Sequence, residues 1–200
     1  MIILLAGLAL LTALPFPSFL KPGGNDTEEQ AYRTVARMGD LEIRYYPSAT
    51  LATVSSSARN YREVSYTGFR RIAGYIFGGN EAGQKIAMTS PVHMDISEQG
   101  SSMSFVMPSA YAMDDLPKPN DPGVRLVQSK EEYVAVIRFS GFASDAAIRQ
   151  QIDRLSALLQ EKKIQPTGNF RYLGYDPPSQ ILDRRNEVIV QIDWKEDSSR

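Results

Sequence analysis

The chain has no cysteine and a single histidine among its 200 residues. Without thiols there is no disulfide, no thiolate nucleophile and no Cys-ligated zinc or haem centre. One imidazole, that of His93, cannot build a multi-histidine metal site. Basic clusters are missing too: no run of five or more Lys or Arg occurs, and 22 basic residues stand against 23 acidic ones for a net charge of −1. A nucleic-acid backbone needs a concentrated positive field, so it is excluded as a partner. There is no G-x-S-x-G nucleophile elbow and no EF-hand spacing. The glycines of "GYIFGGN" (74–80) close a helical pattern, whereas a phosphate-cradling loop opens one. No catalytic residue is assigned, and the chain does not read as an enzyme.

With 42% hydrophobic and 10% aromatic residues, the chain can build a core without covalent staples. Its first twenty residues, "MIILLAGLALLTALPFPSFL", carry no charge. Their apolar run suits the h-region of a cleaved export signal, an uncleaved N-terminal membrane anchor or a buried helix, although a basic n-region is missing. The expected location is therefore outside the cytoplasm, periplasmic or tethered. Residues 21–31 read as a polar linker, residues 32–195 as one folded domain, and residues 196–200 as a disordered tail.

Within the domain the hydrophobic period switches repeatedly. "LEIRYYPSATLATVSS" alternates as a strand that Pro47 interrupts. Phe69, Ile72, Ala73 and Ile76 then fall on one helical stripe, stopped by Gly78-Gly79-Asn80. "KIAMTSPVHMDI" and "SMSFVMPS" return to period two and form a hairpin. After a proline-rich connection the order recurs: a strand around Tyr133–Phe139, a helix capped by Ser144, and two more strands. The pattern predicts an α+β fold of two βαββ units joined into a distorted, mostly antiparallel barrel-like sheet with two helices on one side. A ligand groove is expected where the halves meet.

Several segments are familiar in combination. "KIAMTSPV" (85–92), "YDPP" (175–178) and "RRNEV" (184–188), supported by "EIRYYP" (42–47), "GYIFGGN", "MPSAY" (107–111), "LPKP" (116–119) and "RFSGFAS" (138–144), resemble the SOUL/haem-binding protein family in identity and order. The resemblance spans Val35 to Asp193. It implies the duplicated βαββ fold, shared with effector-binding domains of drug-responsive regulators, and non-covalent binding of haem or a related tetrapyrrole. Two other readings stay open: an effector-domain-like binder of amphiphilic or cationic small molecules, and an envelope scaffold without a ligand.

Candidate binding residues follow. Arg71, on the first helix, and Arg185 can pair a propionate in two-point geometry. Tyr75, Tyr172 and Tyr175 can supply flat walls, and Met88, Met94, Met103 and Met107 either pack the core or line an adaptable pocket. His93 shares a strand face with Ala87, Thr89 and Asp95, which makes it a rim or surface histidine, with axial ligation of a haem iron as the alternative. Glu187 either pairs with Arg184 or Arg185, or receives a cationic ligand.

Overall fold

The computed structural model describes residues 27–97, 100–177, 179–180 and 182–196. The expectations for residues 1–20 and for the last four residues of the tail lie outside these. Eleven strands and two α-helices follow in order: β1 Glu28–Glu29, β2 Arg33–Met38, β3 Leu41–Tyr46, β4 Thr50–Ser56, α1 Tyr61–Ile76, β5 Thr89–Ser90, β6 Val92–Ser97, β7 Gly100–Val106, β8 Val124–Gln128, β9 Glu132–Phe139, α2 Asp145–Lys162, β10 Pro166–Gly174 and β11 Asn186–Ile192. A 3-10 turn at Met113–Asp115 lies in the connection between β7 and β8.

Nine strands form one sheet in the order β2-β3-β9-β11-β10-β6-β7-β4-β8, antiparallel throughout. The duplication is larger than the period pattern predicts. Each half is ββαββ, β3-β4-α1-β6-β7 and β8-β9-α2-β10-β11, and the halves exchange their first strands: β3 pairs with β9 and β8 with β4. Pro47 is the reason. It ends β3 outright, so the segment predicted as one interrupted strand becomes two strands on opposite sides of the seam. The halves meet at β6 and β10, where Met94 faces Tyr172 and Val92 faces Gly174.

Both helices lie on one face, α1 over β4 and β7, α2 over β9 and β11. Asn60 caps α1 by accepting from the Glu63 amide at 3.0 Å, and Ser144 caps α2 by accepting from the Ala147 amide at 3.2 Å. The main core joins Val64, Ile72 and Ile76 of α1 and Leu155 and Leu159 of α2 to the inward faces of both halves. Gly68 lets α1 settle on β7: a Cβ there would lie 3.0 Å from the Met103 Cβ. A smaller cluster of Tyr46, Val134, Val136, Leu173 and Ile189 occupies the other face of the sheet.

The linker expectation needs correction at its end. Glu28 and Glu29 pair in parallel with Thr89 and Ser90, and the Gln30 amide donates to the Ser90 carbonyl at 2.7 Å. Ordered backbone therefore precedes Tyr32, because β5 offers unpaired backbone groups that this segment satisfies.

Candidate functional site

A groove enclosing about 1330 Å³ opens at the seam between the halves, on the helix side of the sheet. This exceeds the roughly 300–1,000 Å³ usual for small-molecule sites. Its floor is Val92 and Met94 of β6, Met103 and Phe105 of β7 and Tyr172 of β10; one wall is α1, and the other is the start of α2 with the 175–185 loop. Helix α1 reaches it through a second stripe, offset from the core stripe: Ser65, Phe69, Ala73 and Phe77 in one row, Arg62, Tyr66, Arg70 and Gly74 in the next. Phe69, expected in the core, is 39% exposed here, and Tyr66 and Phe77 are 70% and 58% exposed. With Met88 at 45%, four large apolar side chains stand unburied around one cleft, where the hydrophobic effect favours an apolar guest.

Charge in the groove is placed asymmetrically. Its acids are engaged: Asp145 accepts from the Tyr61 amide at 2.7 Å, Asp176 accepts from the Arg185 amide, and Glu29 pairs with Arg185 at 3.1 Å. Arg62 and Arg70 have no acidic partner among the described residues; Arg70 lies 5.7 Å from the Tyr66 ring centre.

Of Arg71, Tyr75, His93, Arg185 and Glu187, the structure brings only Arg185 to the groove. Arg71 points away from it. Its Nε donates to Asp121 at 2.7 Å with Gly123 flush against the guanidinium, and this pairing holds Asp121 down at about 2. One residue on a helix turns the side chain by about 100°, so the groove cation is Arg70 and not Arg71. Tyr75 is buried and donates through its hydroxyl to the Pro117 carbonyl at 2.9 Å, tying α1 to the proline-rich connection. Tyr172 and Tyr175 do line the groove. Of the four methionines, Met88, Met94 and Met103 line it, while Met107 is core.

His93 is neither rim nor groove. It sits on the sheet face away from the helices, 9% exposed, with Nε2 at 2.7 Å from the Gln30 Oε1 of the segment that follows β1. Burial, with the Arg171 charge adding to it, pushes its pKa from 6.5 down to about 3. The unfolded chain therefore binds the proton first, and stability, complete above pH 6.5, is lost as pH falls from there toward 3. His93→Gln is expected to flatten that loss, so that urea midpoints at neutral and mildly acid pH lie closer together than in the parent. An unchanged pH dependence would mean that the imidazole titrates freely.

Glu187 is fully buried, on the same face as His93. Arg44 grips it at 2.7 and 3.1 Å, Arg185 donates at 3.0 and 3.1 Å to Oε1, and Tyr175 donates at 2.8 Å to Oε2. Burial works against the Arg44 charge, but the Glu187 bonds more than offset it and raise its pKa; burial likewise raises that of Tyr175. The pairing with Arg185 is as expected. Arg44, from β3 of the other half, is the partner that sequence reasoning missed, whereas Arg184 instead donates to the Pro177 and Gln180 carbonyls. With both oxygens so engaged, Glu187 has no lone carboxylate to offer a cation. The sheet's reverse face thus carries a structural ion cluster, and the open cleft lies on the helix side.

Comparison with known proteins bears on family and fold. The profile described as SOUL heme-binding protein matches residues 27–191. Heme-binding protein 2 of Mus musculus is 32% identical over 88% of this chain and 85% of its own length, and that of Homo sapiens is 32% identical over 75% and 77%. Heme-binding protein 1 of Xenopus laevis is 26% identical over 74% of this chain and 81% of its own. Among solved structures, the EcmrR C-terminal domain superposes with a TM-score of 0.61 at 8% identity, covering 81% of this chain and 98% of that one. A hydrolase from Listeria innocua gives 0.54 at 12% identity, covering 79% and 94%. These likenesses are of fold alone, and the chain belongs to the SOUL heme-binding protein family.

Proposed function

We propose that the groove between the halves binds haem or a related tetrapyrrole without covalent attachment, and that the protein carries this ligand and catalyses no reaction on it. The observation that carries this reading is the ring of Tyr66, Phe69, Phe77 and Met88, left exposed around an open cleft whose available charges are arginines. A tetrapyrrole such as haem offers a flat apolar face and two carboxylates. The aromatic and thioether walls suit the face, and Arg62 and Arg70, which have no acidic partner among the described residues, suit the carboxylates. His93 does not fit as an axial ligand, since the sheet separates it from the groove and Gln30 occupies its Nε2. The apolar stretch at residues 1–20 supports a site of action outside the cytoplasm.

Haemin titrated into the chain lacking residues 1–20 tests the reading. A shifted Soret band saturating at micromolar haemin is expected, and His93→Ala should leave its position and shape unaltered. Arg70→Glu is expected to weaken binding about tenfold or more, equivalent to the loss of one charge-assisted bond. Arg71→Glu, one position along, should leave affinity intact. No Soret shift, or equal losses at 70 and 71, would count against the groove.

A further inference from the structure

We propose that the mouth of the groove is also a membrane-docking surface, seated on an anionic lipid bilayer so that an apolar ligand passes between bilayer and cleft without crossing water. Two independent features lead there. The first is the composition of the rim. Tyr66 of α1 and Phe77 at its C-cap are its most exposed apolar side chains, and Met88 also lines the groove. Cations border them: Arg62 and Arg70 on the same helix, and Lys85, whose backbone bridges to Phe77. Aromatic side chains flanked by arginines on one helix face are what an interfacial helix presents to headgroups and upper acyl chains. Arg62, Arg70, Arg184 and Arg185 line the groove against Glu29, Asp145 and Asp176, so the net charge of the lining is positive.

The second feature is where the chain enters the fold. Thr27, the first described residue, itself lines the groove. The uncharged apolar stretch ends at Leu20, seven residues earlier. Seven residues reach at most about 25 Å even when fully extended. An anchor formed by residues 1–20 therefore holds the Thr27 side of the groove within about 25 Å of the bilayer. Anchoring raises the local concentration of the rim at the lipid surface, so even weak interfacial contacts become populated. The exposed apolar ring then has a partner of matching chemistry on its own side of the molecule.

The missing cysteines make the test direct, because any introduced thiol is unique. The full chain carrying Phe77→Cys, labelled with a polarity-sensitive fluorophore, is bound to vesicles of phosphatidylcholine and phosphatidylglycerol containing a fraction of lipid brominated in the acyl chain. Val127→Cys is the control, since Val127 is exposed on β8 but faces away from the helices. A blue shift at 77, with quenching about threefold or more above that at 127, is expected from insertion to interfacial depth. Replacing Arg62 and Arg70 together by Gln should reduce the quenching at 77 while the chain still floats with the vesicles. A label at 77 that stays water-exposed and unquenched on vesicle-bound protein would overturn the proposal, as would equal quenching at both positions or failure to bind vesicles. No haemin is present, so failure of the tetrapyrrole reading leaves this result untouched.

Discussion

Haemin binding is expected to fall about a hundredfold in Gly74→Trp, a loss of about 2.7 kcal/mol, while the fold keeps its stability. Gly74 lies on the groove side of α1, and a Cβ built there meets no atom within 4 Å. An indole attached at this point therefore grows into the cleft instead of into the core. Glycine inside a helix costs roughly 0.5–1 kcal/mol relative to alanine, so replacing it should leave thermal stability level or slightly raised. Few positions separate binding from folding so cleanly. Gly68, six residues earlier on the same helix, offers the contrast: a side chain there collides with Met103, so loss of stability and loss of binding would arrive together. If Gly74→Trp binds haemin as the parent does, the ligand site lies elsewhere.

Removing the charge of Glu187 should have the largest effect on stability. Glu187→Gln is expected to destabilise the fold by about 3 kcal/mol, because Arg44 and Arg185 both lose the buried carboxylate between them and Arg44 keeps Glu42 alone as its counter-charge. Arg44 is only 4% exposed and also meets Glu42 and the Tyr32 ring, so the guanidinium cannot swing out to water without breaking those contacts. The pairing joins β3 to β11 across the intervening β9, and through Arg185 it reaches Glu29 and Tyr32 of the N-terminal segment. Denaturant unfolding of Glu187→Gln and of the double variant Arg44→Met with Glu187→Met distinguishes the cause. The double variant should be the more stable of the two, since it leaves no buried Arg44 charge. Equal losses would point to packing at this position and not to an uncompensated cation.

How much of this the sequence discloses depends on the range of each interaction. Local period placed both helices, set Ser144 as a cap and put His93 on the face opposite Met94, because these follow from a few adjacent residues. What covers that face did not follow. Gln30 lies 63 residues from His93, and Arg44 lies 143 from Glu187, with no local pattern announcing either contact. The exchange of first strands was hidden for the same reason: Pro47 signals a break, but nothing near it says that the chain resumes across the seam. On α1 the information was present and was read along the wrong rows. Tyr66, Phe69 and Phe77 form a second apolar stripe, with Arg62 and Arg70 in register, and following that stripe leads to the groove. Taking Phe69 as core and Arg71 as a groove residue reads α1 one helical position off the stripe that lines the groove.

The most direct measurement uses the methionines as reporters of where the ligand sits. The chain with its methionine methyls labelled is titrated with ferric haemin, and with a diamagnetic gallium porphyrin as reference. The methyl resonances of Met88, Met94 and Met103, which line the groove, should broaden strongly with the paramagnetic iron alone. Those of Met38, on β2, and Met113, in the turn beyond β7, should stay sharp. Broadening at Met38 or Met113 with the three groove methyls unaffected would place the macrocycle outside the seam and contradict the account.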